Sequence, residues 1–222
     1  MNAGFMKRSM SSLIDMVLVF TIITLTFFAF GRTILRNQVP DFTEIFGVYN
    51  ELVDAYNFDL ETITTEYTAA LEIADGDEDL QAAAQATYAS KKALLDAQNI
   101  VDIEPYNDPL TKYFLTCIYY FAIGFLILMA IYSLAFNAKT LGRKLMQVKL
   151  DGPVNPISIF FHDIVFKYFF TVLVFSVSMY AGAVLFILSL VIDLTLMSFT
   201  KNKNTLRDLF LKMSVVKTGY GY

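Results

Sequence analysis

Tyr113 to Phe136, YFLTCIYYFAIGFLILMAIYSLAF, runs for 24 residues without one charged side chain. As an α-helix it would extend about 36 Å, more than the roughly 30 Å hydrocarbon core of a bilayer, so it reads as a transmembrane helix. The rest of the chain is read outward from this span. Upstream, Ser12 to Phe30 (SLIDMVLVFTIITLTFFAF) reaches about 28 Å and is the first span. Its length argues against a cleaved signal segment, as does the lack of an A-x-A-like site after it. Downstream, the apolar tract Ile157 to Thr200 would measure about 65 Å as a single helix, twice the hydrocarbon thickness. A division near Ala181-Gly182-Ala183 gives a third span, Ile164 to Tyr180, and a fourth, Ala183 to Phe199. Both are short, so a tilted or partly re-entrant hairpin is the alternative arrangement.

The composition agrees: 56% of the 222 residues are hydrophobic, only 17% are charged, and the charges are crowded into a few windows. Asn37 to Thr111 holds 16 of the 21 acidic residues against two bases, Lys91 and Lys92, whereas the remainder holds 5 acids and 15 bases. The bases adjoin the apolar spans, which points to the two sides of a membrane and away from nucleic acid. With four spans, Lys7 and Arg8, then Lys139, Arg143, Lys144 and Lys149, then Lys201, Lys203, Arg207, Lys212 and Lys217, all fall on one side. The positive-inside rule makes that side cytoplasmic, with both termini on it, and the acidic insert outside the cell membrane. Arg32 and Arg36 run against the rule.

Within the insert, Phe42, Ile45, Tyr49, Leu52, Tyr56, Leu60, Ile63 and Tyr67 step by three or four, a narrow apolar helical stripe. Asp75-Gly76-Asp77-Glu78-Asp79 stops it, and an Ala-rich helix returns toward Pro105 and Pro109. Such a hairpin reaches about 40 Å. The acidic turn lacks the D-x-D-x-D-G order of a calcium loop, and no metal site is expected. Cys117 stands alone inside an apolar run, so no disulfide or thiolate site is expected either. The expected fold is therefore an all-α polytopic membrane protein: residues 1–36 a cytoplasmic start and first span, 37–111 an extracytoplasmic antiparallel hairpin, and 112–222 three more spans with a basic loop and tail.

Two carboxylates lie at membrane depth, Asp15 and Asp193, and each costs a few kcal/mol on insertion scales unless paired or hydrated. Arg8 precedes Asp15 by seven residues, nearly the same helix face two turns earlier, so Arg8, Ser12 and Asp15 form a polar track into the bilayer. Leu141 to Leu150 reads as a helix along the cytoplasmic surface, with Lys139, Arg143, Lys144 and Lys149 as a lipid-facing basic loop for anionic headgroups. His162, beside Asp163, is read as an interfacial histidine bonded to a headgroup or the backbone rather than as a proton relay. Gly124 and Gly182 are read as points of close helix packing.

The stretch Ala3 to Asp15, AGFMKRSMSSLID, resembles the start of the RDD family of membrane proteins, named for an arginine and two aspartates; Arg8 and Asp15 match the first two. TLGRKLMQVKL, Thr140 to Leu150, resembles the family's T-x-G-K/R-x-L loop, and Gly152 to Ser158 its following G-x-P stretch. TLRDLFLKMSVVK, Thr205 to Lys217, resembles its T-L-H-D-K-L-x-x-T-V-V segment, which puts the second aspartate at Asp208. Lys167, Arg207 and Met213 stand where members commonly carry arginine, histidine and threonine.

The resemblance implies a transporter-like membrane component, with cation/proton antiport as its most concrete activity. Asp15, with Asp193 or Asp208, would form the exchanging site, and Arg8 and Lys167 its counter-charges. A homo-oligomer is expected, because four short helices barely surround an aqueous path. The alternative is a non-transporting scaffold whose hairpin, residues 41–103, binds another protein. No nucleophile and base pair, phosphate loop or cofactor motif points to an enzyme.

Overall fold

In the computed structural model, which describes residues 2–200 and 203–218, four helices are long and apolar enough to cross a bilayer. They are Phe5–Arg36, Glu78–Ala135, Pro156–Val177 and Met179–Phe199. Lys201, grouped above with the third basic cluster, lies outside the described residues. Contacts divide the chain into two units: the residues through Arg32 together with those from Cys117 onward, and Thr33–Thr116.

In the first unit, α1 (Phe5–Thr26) passes through a π turn, Phe27–Gly31, into α2 (Arg32–Arg36). The wider turn sits where Gly31 lies against Tyr120, since a Cβ there would come within 3.1 Å of that ring. The Thr26 hydroxyl meets the Tyr120 hydroxyl at 3.0 Å. Val19, Ile23, Phe125, Met129, Ile164 and Tyr168 form the core between spans. The outward faces carry exposed Leu25, Ile127, Leu173 and Ile187, apolar surface of the kind lipid covers.

The third and fourth spans are longer than expected. Asn155 caps the third by accepting the Ser158 N–H at 2.9 Å with Pro156 at the first helical position, so the helix starts eight residues before Ile164. It runs as α6 (Pro156–Phe160), a π segment Phe161–Phe169 and α7 (Phe170–Val177). The break falls at Ser178, not at Gly182. Ser178 is extended (φ −150°), and its hydroxyl accepts the Ala181 N–H at 3.3 Å to cap α8 (Met179–Phe199). Gly182 is the packing point, where a Cβ would lie 2.4 Å from Phe175 Cγ. With 22 and 21 residues, each span covers about 30 Å.

A two-stranded antiparallel sheet departs from the all-α expectation. β1 (Val148–Asp151) pairs with β2 (Ser214–Lys217) in the register Val148↔Lys217 and Leu150↔Val215. The N-terminus joins it: Asn2 bridges Val216, and the Ala3 N–H donates to the Val215 carbonyl at 2.8 Å. VKLD alternates buried and exposed residues, the period of a strand. The segment read as one surface helix is therefore α5 (Leu141–Leu145) followed by β1, with Gln147 at φ 54° in the bend between them. After α8, α9 (Leu206–Leu211) leads into β2. Ala3, Ala138, Val148, Leu150, Ile159, Met213 and Val215 pack together beneath this small cap.

The second unit is an antiparallel helical hairpin of α3 (Phe42–Ala74) and the start of α4 (Glu78–Ala135). Tyr56 donates to Asp96 at 2.7 Å, Lys91 bonds Glu66 at 2.6 Å, and Tyr67 donates to Gln85 at 3.0 Å. The acidic turn serves the backbone: Asp75 and Gly76 take positive φ, and the Asp77 carboxylate accepts the N–H groups of Asp79 and Leu80. The prolines do not end the returning helix, and α4 continues through Pro105 and Pro109. Each removes one N–H and crowds one carbonyl, a local cost of about 3 kcal/mol, whereas ending the helix strands several backbone groups at once.

Candidate functional site

α1, α5, α9 and the third span bring their charged residues to one buried place. Arg8 is the first member. Its Nη1 pairs with Asp208 Oδ2, its Nε donates to the Ala3 carbonyl at 3.1 Å, and its Nη2 donates to the Val215 carbonyl at 3.2 Å. Asp208, third residue of α9, reaches back to accept the Thr205 N–H at 3.0 Å, half of a capping box. Its other oxygen lies 2.9 Å from His162 Nε2. His162 Nδ1 lies 2.8 Å from Asp163 Oδ1, and that same oxygen accepts from Arg143. Arg143 also donates to the Ala138 carbonyl at 2.7 Å.

Asp15 closes the far end. Thr140 donates its hydroxyl to Oδ2 at 2.7 Å, while the Gly142 N–H and the Tyr132 hydroxyl donate to Oδ1 at 2.8 and 3.1 Å. Thr140 also caps α5 by accepting the Arg143 N–H at 3.5 Å, which links Asp15 to the chain of ion pairs. Arg8, Asp15, Arg143, His162, Asp163 and Asp208 are all buried.

Burial alone would raise the Asp208 carboxyl, but the His162 hydrogen bond and the Arg8 charge outweigh it and hold the group well below the usual carboxylate range. Burial would likewise lower Arg143, and the charge and hydrogen bond of Asp163 push it up instead. Because the folded carboxyl binds its proton less readily than the unfolded one, whose pKa is about 3.9, its stabilising contribution is complete above that value. That contribution is lost as pH falls toward the folded value. The thermal midpoint in detergent should therefore separate wild type from Asp208→Asn most above about pH 5, and the gap should narrow as pH falls below about 4. A gap that widens toward acid would refute the depressed carboxyl.

Of the residues singled out from sequence, Arg8 and Asp208 are brought together, and Asp15 joins them through Thr140 and Arg143. Arg8 does not face Asp15; its partner is Asp208, and Asp15 is held by neutral donors. Asp193 and Lys167 lie in an adjoining groove: Asp193 sits 3.4 Å from Arg207, and the Lys167 ammonium lies 4.7 Å from the Tyr168 ring centre. In the basic loop, Lys139, Lys144 and Lys149 are exposed, whereas Arg143 turns inward to Asp163 and is not lipid-facing. His162 is no interfacial residue; it is 2% exposed and bridges two carboxylates. Its adjacency to Asp163 is the signal the sequence offers, and Thr140 and Gly142 stand out there only as parts of a motif.

A cavity of about 20 Å³, lined by Arg8, Asp15, Arg143, His162, Lys167 and Arg207 among others, lies within the network, room for about one water. Asp163 Oδ2 is buried without a hydrogen-bond partner among the described residues. No group of three or more metal-ligating side chains occurs among the described residues.

A family model described as the RDD family matches residues 2–212, nearly the whole chain. No curated protein matches, and no solved structure does.

Proposed function

From the premise that this chain belongs to the RDD family, we propose that it exchanges a proton for a small monovalent cation across a membrane, at the His162–Asp163–Asp208 cluster. The observation that carries the reading is a count of hydrogens. Both ring nitrogens of His162 face carboxylate oxygens, at 2.8 and 2.9 Å, and two such hydrogen bonds need two hydrogens. A neutral imidazole supplies one, so the cluster closes around an additional proton.

With that proton, and counting Asp15, which joins through Thr140, the hydrogen-bonded network holds three positive groups, Arg8, Arg143 and the histidine, against Asp15, Asp163 and Asp208. Without it, the hydrogen-bonded groups alone carry one net negative charge, the state in which a monovalent cation would be received, with the Lys167 ammonium on the cavity wall as its competitor. The free Asp163 oxygen is where such an ion would be received. The family's usual histidine is Arg207 in this chain, but an imidazole still reaches Asp208, from His162 in the third span.

In this reading the termini and the basic loop are cytoplasmic, the hairpin lies outside the cell membrane, subunits associate to enclose a path, and no enzymatic step is involved. Purified protein in liposomes, given an imposed pH gradient, should take up sodium or potassium. His162→Gln, which keeps a hydrogen-bonding side chain without the exchangeable proton, should fall to the level of protein-free vesicles. Uptake that is absent in wild type, or that persists in His162→Gln, removes the proposal.

The second reading, a scaffold that holds another protein, is favoured by the hairpin. Phe58, Ile73, Leu94 and Ile100 are 65–80% exposed on it. Co-purification of a fixed partner, lost when these four are made polar while uptake is absent, would select it.

A further inference from the structure

We infer that the groove between α1, the third span and α8 binds an acidic membrane phospholipid, with the headgroup at Lys167 and Arg207 and an acyl chain running along Leu13, Met16, Phe186 and Leu190. This site is separate from the exposed basic loop and does not depend on ion exchange.

The groove holds about 290 Å³, at the lower edge of the roughly 300–1,000 Å³ of small-molecule pockets. Its polarity is graded along both helices that form it. On α1 the lining holds Arg8, Ser9 and Ser12, with Phe5 and Met10 among them, and then only Leu13 and Met16; on α8 it holds Asp193 and Met197 toward the end and Leu190, Ser189 and Phe186 toward mid-span. On both helices the charged side chains lie toward the helix end, and the lining toward mid-span carries no charge. That is the order of a lipid leaflet, headgroup first and hydrocarbon below.

The sign of the ligand follows from the charges at the mouth. Arg8 is already committed to Asp208. Asp193 meets Arg207 at 3.4 Å, a loose pair, and the Arg207 Nε is buried without a partner among the described residues. Lys167 has no carboxylate within ion-pair distance among the described residues, and its ammonium rests over the Tyr168 ring. One positive charge is therefore left over in a groove with apolar walls, beside an unused guanidinium donor. Basic recesses between membrane helices take anionic headgroups, and arginine supplies the directed donors a phosphate accepts. Met10, Leu13, Phe186 and Leu190 remain exposed, so the trough opens sideways, where a lipid enters without leaving the bilayer.

Delipidated protein in detergent, mixed with phosphatidylglycerol or phosphatidylcholine and examined by native mass spectrometry, should retain phosphatidylglycerol with about a fivefold preference, the worth of the one base left over. The double variant Lys167→Gln, Arg207→Gln should lose that preference. In Ser189→Trp, where an indole fills the trough, lipid of either kind should be excluded. Equal retention of the two lipids by wild type overturns the inference. So does a preference that survives the double variant and disappears in Lys139→Gln, Lys144→Gln, which would assign it to the loop. Displacement by millimolar inorganic phosphate would mark a free-anion site instead. Should the groove variants fail to fold, a photoreactive phosphatidylglycerol on wild type still decides: labelling belongs on Met10–Met16 and on Phe186–Leu190, and labelling confined elsewhere refutes the site.

Discussion

Asp208→Asn should destabilise the first unit by about 3–5 kcal/mol, the cost of removing one partner from a buried ion pair. The substitution is nearly isosteric, so no cavity accounts for the loss. Arg8 keeps its full charge at 6% exposure, anchored by carbonyls of Ala3 and Val215 that cannot neutralise it. His162 loses the anion opposite Nε2 and, depending on how the amide turns, faces either an N–H against its own N–H or a weaker neutral acceptor. The Thr205 N–H keeps an acceptor only if the amide oxygen points toward it, so the remaining oxygen cannot serve both places. The thermal midpoint in detergent at pH 7 should fall accordingly, while the hairpin, a separate unit, keeps its helical circular dichroism. A control, Lys91→Met, breaks an exposed pair and should shift the midpoint little, since such pairs contribute about 0–1 kcal/mol. Equal midpoints for the two variants would mean that Asp208 is not the buried counter-charge of Arg8.

The spans were legible because length and apolarity are properties of a continuous stretch. Tyr113–Phe136 needs no knowledge of its neighbours to be read as membrane-crossing. Their ends were less so. Asn155 and Pro156 announce a helix start by an ordinary capping rule, but the apolar run as such begins at Ile164, past the polar pair His162-Asp163 that the helix carries inward. Gly182 is the more conspicuous break than Ser178, because glycine is the weaker helix former, but it marks where two helices touch. β1 and β2 are four residues each and 62 residues apart between Asp151 and Ser214, and pairing across such a separation leaves no local trace beyond alternation.

The site divides along the same line. Arg8 and Asp208 were found through motifs, yet which carboxylate each arginine meets depends on how α9 folds back onto α1, and that is decided by distant packing under the sheet. Helical spacing placed Arg8 above Asp15 on one face, but α5 inserts Gly142 and Thr140 between the pair and supplies Asp15 with neutral donors. The amphipathic pattern that points Arg143 toward lipid belongs to a helix that stops at Leu145. The network draws on residues from Arg8 to Asp208, so its logic is one of charge balance among elements, which residue spacing does not record.

Gly142→Ala should be the most damaging single methyl addition in the first unit, at about 3 kcal/mol, although alanine is the better helix former. An ideal Cβ on Gly142 lies 2.0 Å from the Ser11 carbonyl oxygen and 3.0 Å from Asp15 Cγ. The first is backbone within α1 and cannot rotate away, so α5 has to move off the helix. Any such movement lengthens the Gly142 N–H to Asp15 bond, now 2.8 Å, and draws Thr140 from the other carboxylate oxygen. Overpacking costs about 1–3 kcal/mol, and leaving a buried carboxylate short of donors adds about as much again. Gly124→Ala is the matched comparison: it sits inside α4, its added methyl would lie 4.0 Å from Ile23, and it should leave the midpoint unchanged or raise it. Thermal midpoints measured side by side test the difference. If the two alanines behave alike, Asp15 is not gripped by the Thr140–Gly142 turn. The close approach of that turn to α1 would then have to be abandoned, and with it the link that joins Asp15 to the buried ion pairs.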